Sequence, residues 1–335
     1  MGQNFSFGFS DHLLLELGNI NFYQLHFEPN SIIKAYEKLK EIAEELQVQA
    51  PIPKMAGFAY PHIASLGAKI EFPPDGEPKP FPIIKNFEDI DNLKEPEDYL
   101  SAPIIQKKLK TLAELKKLVP ETPNTIGHLY EGPVTTAVLL MGQEFFILVY
   151  DNPEKAKKLL NFCVESALNY TKTILNYFGE EIKEGPKGIP DDFAGILPPD
   201  LFPEFVLPYW NKFYEGLKAT ERFLHSELLR KQHLKFLEDI KIDSFDPGTD
   251  PYLNGEILSK TCPCKFTLRI KPWEVFNLNE SQLENLYIGL TTYKPLSINF
   301  SLDRLIDLPK IKKLLKIARE YEKKGLNVKK LENIF

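Results

Sequence analysis

The chain has 335 residues, of which 43% are hydrophobic, 26% charged and 12% aromatic, a composition that excludes disordered and fibrous classes. Forty-one Lys and Arg against 47 Asp and Glu leave a formal net charge of -6, and no stretch sets basic residues beside stacking aromatics, which argues against nucleic acid as a partner. Three cysteines are too few for a disulfide framework, and the N-terminal residues lack a basic start followed by an apolar block, so the expected location is the cytoplasm.

In chain order, helical spacing of apolar residues runs from Ile32 to Leu46, followed by a strand-length run from Ile52 to Tyr60. The Pro-rich segment Phe72 to Pro82 reads as an ordered surface loop. A helix is expected from Ile104 to Leu118, its lysines forming a solvated face, and a strand from Thr125 to Tyr130. The longest apolar stretch, Val134 to Tyr150, is interrupted by Thr135, Thr136, Gly142, Gln143 and Glu144, so a bilayer span is not expected. Asp151-Asn152-Pro153 is a start signal for a long amphipathic helix reaching Phe178. Further helices are expected at Pro199 to Leu217, Leu228 to Asp239, Glu280 to Leu290 and, capped by Asp307, Leu308 to Tyr321. Strands are expected at Arg222 to His225, Asp243 to Phe245, Lys265 to Ile270 and Leu296 to Phe300.

Strands alternating with helices imply an α/β fold with a parallel sheet, and the number of such units points to a single (β/α)8 TIM barrel over residues 51–335. Residues 1–50 then form an N-terminal extension with one helix, which caps the barrel or mediates dimerisation. No G-x-G-x-x-G or P-loop opens a helix, so neither NAD nor a nucleotide is expected.

Barrel chemistry is built at the carboxyl ends of the strands. The polar residues expected there are Tyr60 and His62, His128 and Tyr130, Asp191-Asp192, His225-Ser226-Glu227, Asp246, and Arg269 with Lys271. His225 and Glu227, one residue apart, share a strand face, a spacing that permits joint metal coordination and equally permits two hydrogen-bonded rim residues. Paired Asp191 and Asp192 suit acid–base chemistry, because neighbouring carboxylates resist double ionisation. Asp246 is a third acidic candidate, whereas Asp250, across Gly248, reads as a turn residue. Cys262-Pro263-Cys264 precedes a strand and belongs to the opposite face, and Cys163 reads as packing. His12, His26 and His233 read as surface or packing residues.

Several runs resemble the uroporphyrinogen decarboxylase superfamily: Gly132-Pro133-Val134-Thr135-Thr136-Ala137 through Met141-Gly142 to Asn152-Pro153-Glu154, then Asp191-Asp192-Phe193-Ala194, Leu197-Pro198-Pro199, Phe205-Val206-Leu207-Pro208-Tyr209 and Leu224-His225. The resemblance runs from about residue 50 to 323 and implies a (β/α)8 barrel with an open mouth. It also implies one of two chemistries, cofactor-free decarboxylation of uroporphyrinogen or zinc-dependent methyl transfer from a corrinoid to a thiol. The arginines of the decarboxylase Met-Arg-Gln-Ala-Gly-Arg run are absent from the matching Lys54-Met55-Ala56-Gly57-Phe58-Ala59-Tyr60, and a substrate with eight carboxylates needs cationic partners. The methyltransferases hold zinc with His-x-Cys and a later Cys; here His225 is kept and Glu227 replaces the first cysteine.

The resemblance therefore implies a metal-assisted methyltransferase, with His225 and Glu227 as zinc ligands and Asp191, Asp192 and Asp246 as catalytic carboxylates. His62, His128, Tyr130, Arg269 and Lys271 would orient a small-molecule substrate, and a corrinoid, carried by a partner protein, would be the methyl donor. Two alternatives stand beside it: a metal-free decarboxylase acting on another acid, and a binding protein that kept the fold without the chemistry.

Overall fold

Phe5, Phe7 and Phe9 alternate with small residues, and this period of two makes the first strand, β1 (Phe5–Phe9). Ser10 then caps α1 (Asp11–Gly18) by accepting from Leu13 N–H, and α2 (Phe22–Phe27) and α3 (Pro29–Glu45) follow. The computed structural model describes residues 4–57, 60–127 and 129–323. A short α4 (Pro61–Ser65) leads to the antiparallel pair β2 (Ile70–Glu71) and β3 (Lys79–Pro80), which gathers the Pro-rich segment into a surface arm. Next come α5 (Pro103–Leu118), α6 (Pro133–Met141), α7 (Phe145–Asp151) and α8 (Pro153–Tyr177). Asn152 caps α8 by accepting from Lys155 N–H, Pro153 supplies the fixed φ of a first helical residue, and Leu160, Val164, Ala167 and Ile174 lie on its buried face.

The second half alternates strand and helix, with a strand at Gly185–Pro190 and helices at Gly255–Thr261 and Pro272–Asn277 beyond those expected, and with the strand expected from Lys265 split in two. It comprises β4 (Gly185–Pro190), α9 (Phe202–Phe205), α10 (Leu207–Gly216), β5 (Ala219–His225), α11 (Phe236–Asp239), β6 (Ser244–Asp246) and α12 (Gly255–Thr261). After these come β7 (Lys265–Phe266), β8 (Leu268–Arg269), α13 (Pro272–Asn277), α14 (Glu280–Thr291), β9 (Ile298–Leu302) and α15 (Leu308–Lys323).

The larger sheets run β4-β5-β6-β7 and β1-β9-β8, with every pair parallel. They are joined at Thr267, whose N–H bonds Phe245 O while the next N–H, of Leu268, bonds Ser297 O. One strand thus hands the ladder from one sheet to the other. Among the described residues no ladder closes the gap between β1 and β4. Among their described residues, the segments expected as strands at Ile52 to Tyr60 and Thr125 to Tyr130 carry no strand pairing. Gly127, at φ +102°, lies so close to the first segment that a Cβ would stand 2.4 Å from Ala56 O, which only glycine avoids. Gly132 N–H bonds Pro190 O and Tyr130 Oη–H bonds Gly188 O, so the second segment runs alongside β4.

Other departures have physical causes. The stretch expected as an extension with one helix holds, in its described residues 4–50, a strand and three helices, and β1 pairs in register with β9 from Phe5–Ile298 to Phe9–Leu302. The helix expected from Pro199 breaks at Val206, before Pro208. The one expected from Leu228 shrinks to α11, because Leu228 adopts a positive φ of 65°. Pro133–Asp151 is apolar and long enough to cross a membrane by composition, yet 61% of the most apolar window is buried, with Val134, Ala137, Leu140, Phe145 and Leu148 fully inside the core.

Lys108, on the helix assigned a solvated lysine face, is 0% exposed. Its Nζ donates to Ile126 O at 2.8 Å and Ala56 O at 3.3 Å and faces His26 Nδ1 at 3.3 Å, tying together the two segments that lack a ladder. Burial lowers its pKa from 10.5 to about 7 and that of His26 to about 2. Lys108→Ala is expected to cost about 2–4 kcal/mol in urea denaturation, from the void and the carbonyls left unpaired. Because the unfolded chain holds the lysine proton between pH 7 and 10.5 while the folded one releases it, this group makes stability rise with pH across that window. In Lys108→Met that contribution should vanish.

Candidate active site

β5 and β6 end side by side, with His225 opposite Asp246 in register. His225 Nδ1–H donates to Asp246 Oδ2 at 3.0 Å, the carboxylate fixing this tautomer. Asp246 also accepts from Thr267 Oγ1–H at 2.6 Å, Gly248 N–H at 3.1 Å and Arg269 at 3.2 Å. Burial opposes its ionisation, but the His225 hydrogen bond and the charges of His225 and Arg269 outweigh it and hold Asp246 well below the usual carboxylate range. For His225 burial likewise disfavours the charge, yet Asp246 prevails and its pKa is raised.

The other ring nitrogen, Nε2, stands 3.5 Å from Asp192 Oδ1. Asp192 accepts from Glu227 N–H at 3.1 Å, and its pKa is raised, chiefly by burial, with further push from Glu227 and Asp246. Glu131 is raised well above the usual value by burial and by the charges of Asp192 and Asp191. Tyr60 is pushed up to about 12 by burial and then by Glu131. Tyr60 and Leu228, both non-glycine residues with positive φ, flank the cluster at 45° and 65°.

Asp191 lies apart from this exchange. It is 0% exposed and accepts from Thr135 N–H at 2.7 Å, Val134 N–H at 3.3 Å and Trp210 Nε1–H at 2.6 Å. The expected catalytic carboxylate is thus the cap of α6, a helix more than fifty residues upstream. Burial lifts its pKa to about 6 against these hydrogen bonds.

Of the expected substrate-orienting residues, Arg269 joins the cluster. Its guanidinium bonds Asp246, while its Nε is buried without a hydrogen-bond partner. His62 turns into the core, with Nε2 3.1 Å from Ser166 Oγ and its ring against Tyr170, and burial lowers its pKa to about 3. Tyr130 packs on Phe213. Lys271 Nζ donates to Asp250 O and lies over Trp273, while Asp250 forms the expected turn by accepting from Leu253 N–H. His128 lies outside the described residues.

Glu227, the expected partner of His225 in zinc binding, is engaged by Thr249. Glu227 Oε1 accepts from both the N–H and the hydroxyl of Thr249, each at 2.7 Å. Gly248 permits this fold-back, since a Cβ there would stand 2.4 Å from Glu227 Oε1 and 2.8 Å from His225 Cε1. Among the described residues no group of three or more His, Cys, Asp or Glu is placed to hold a metal ion. His225 Nε2 and Asp192 Oδ1 supply two donors where a zinc site needs three from the protein, so the side chains do not fit a resident zinc.

A cavity of about 1120 Å³ opens beside the cluster, lined by Asp246, Thr267 and Arg269 and also by Asp11, Lys54 and Glu77. It is as large as a drug-sized ligand pocket or larger. Sequence reasoning missed Asp11, Glu131 and Thr267. The alternation of Phe5, Phe7 and Phe9 was the signal that would have placed Asp11 at a strand end; Glu131, one residue beyond Tyr130, had no such marker.

The model of the family described as uroporphyrinogen decarboxylase (URO-D) matches residues 61–262. The chain belongs to the uroporphyrinogen decarboxylase family. It is 27% identical over 146 residues to a uroporphyrinogen decarboxylase of Rickettsia bellii (strain RML369-C), a match that spans 41% of each chain. A solved methyltransferase from Methanosarcina mazei shares the fold, with TM-score 0.67 and 13% identity over 96% of this chain and 94% of that one. In this family member the Asp191 cap binds the Gly132-Pro133-Val134-Thr135 run to the strand ends. Asp191→Ala is expected to cost about 3 kcal/mol, because it strands buried donors, and to shift Trp210 fluorescence in the still-folded fraction.

Proposed function

We propose that this URO-D family chain is an enzyme that transfers a methyl group to a thiol-type acceptor at the strand ends, with His225 and Asp192 handling the acceptor's proton. In this reading the segments at Met55–Gly57, Ile126–Gly127 and Leu129–Gly132 complete the ring of a (β/α)8 barrel. The observation that carries it is the His225–Asp246 hydrogen bond of 3.0 Å, which leaves the opposite edge of an imidazolium facing Asp192. Because His225 already carries its proton in this reading, Asp192 takes the thiol proton, and the imidazolium stabilises the resulting thiolate electrostatically. The sulfur then forms a bond to the methyl carbon, and the electron pair of the breaking bond leaves with the donor, for which a methylated corrinoid is the class proposed. No step passes through a metal. Lys54 and Arg269 are few cations for a cavity also lined by Asp11, Glu77 and Asp246, which disfavours a substrate with many carboxylates.

Arg269 Nε, buried without a partner, favours a second reading in which that guanidinium holds one substrate carboxylate and His225 protonates the carbon left by departing CO2. Assays of methylated corrinoids with thiols, beside assays of CO2 release from small acids, separate the two.

For methyl transfer, activity should rise with pH through the raised pKa of Asp192 and fall through the raised pKa of His225. Asp246→Asn should lower kcat about 100-fold and move the alkaline limb to lower pH. An unmoved limb would refute the role given to His225. Dialysis against a chelator is expected to leave turnover unchanged, and its loss would restore the metal-assisted alternative.

A further inference from the structure

Cys262 and Cys264 lie at the amino end of β7, away from the His225 cluster. Cys262 closes α12, Pro263 makes the bend, and Cys264 immediately precedes the strand. Their sulfurs are 3.6 Å apart, both side chains are half-buried rather than enclosed, and neither is in a disulfide. Two thiols at this spacing, held by residues separated only by a proline, need a modest rotation about each Cα–Cβ bond to reach the ~2.05 Å of a disulfide. The third cysteine, Cys163, is enclosed in the core and supplies an internal reference.

We propose that Cys262 and Cys264 form a reversible redox-active dithiol, oxidised to an intramolecular disulfide by exchange with a low-molecular-weight disulfide such as oxidised glutathione. The sulfur of Cys262 attacks one glutathione sulfur and the first glutathione leaves as its thiol. The sulfur of Cys264 then attacks the mixed disulfide at Cys262, and the second glutathione leaves as its thiol. Two protein thiols are thereby oxidised and one glutathione disulfide is reduced. The two sulfurs share one contact that holds the Cys262 thiol below its usual range and pushes the Cys264 thiol up, so Cys262 is the attacking thiol of the proposal and Cys264 the resolving one.

The ring so closed is too short to restrain much of the unfolded chain, so the disulfide is suited to switching and not to bracing the fold. What it fixes is the joint between α12 and β7. Thr267, three residues beyond Cys264 and about 10 Å along an extended strand, donates to Asp246. The dithiol thus lies three residues from the Thr267 that donates to the site carboxylate.

The test uses the full-length reduced protein equilibrated in glutathione buffers of graded potential, quenched with an alkylating agent under denaturing conditions and read by peptide mass spectrometry. Expected is joint loss of alkylation at Cys262 and Cys264, in one peptide lighter by two hydrogen atoms, with a two-electron midpoint independent of protein concentration and with Cys163 unchanged. In Cys264→Ser the mixed glutathione disulfide should instead accumulate at Cys262. Independent glutathionylation of both wild-type cysteines, retention of both free thiols in oxidising buffer, or a midpoint that moves with protein concentration would each overturn the proposal.

Discussion

One buried carboxylate organises the strand ends. Asp246 accepts from His225, Thr267, Gly248 and Arg269, which come from β5, from the junction between β7 and β8, from the turn after β6 and from β8. An isolated charge in that position would be expelled or neutralised. Surrounded by donors it stays ionised, and its charge fixes the protonation and orientation of the imidazole beside it. The geometry of the site thus depends on the parallel register that sets His225 against Asp246 and on the strand that changes sheets at Thr267.

Most of the second half of the fold was legible because its signals are local. The start signal at Asn152-Pro153 and the β-branched or apolar runs near Arg222, Asp243, Lys265 and Leu296 each encode their own element. The first half was harder. The segments around Ala56 and Ile126 are apolar and strand-like in composition, yet they are held by a lysine from α5 and by the close approach of Gly127, partners no window of sequence contains. Lys108 sits in a lysine-rich helix where its neighbours face solvent, so its burial follows from tertiary position alone.

The site shows the same division. His225, Asp192, Asp246 and Arg269 were identified as strand-end residues and do meet. Asp191 and His62 carried the same marks and are turned away, one capping α6 and the other filling the core beside Tyr170. Adjacent residues at a strand end point to opposite sides, and which of Asp191 and Asp192 reaches the imidazole depends on where α6 begins. Glu227 resembled a ligand by spacing, but the backbone at Leu228 and the glycine at 248 let it fold back on Thr249.

The placement of protons follows from these positions. Asp246 is largely buried and ionised because donors surround it, whereas Asp192 is pushed toward the protonated form by burial and by Glu227 and Asp246, and Glu131 by burial and by Asp192 and Asp191. Carboxylates within one cluster are therefore split into a fixed anion and proton carriers, with an imidazole between them whose two nitrogens face one of each kind. Environments that drive like groups apart in pKa assign acid and base roles without any difference in residue type. Here that split runs across a single ring, so a proton released at the Asp192 side is compensated by a charge already held at the Asp246 side. The proton transfer proposed for this site would draw on that split.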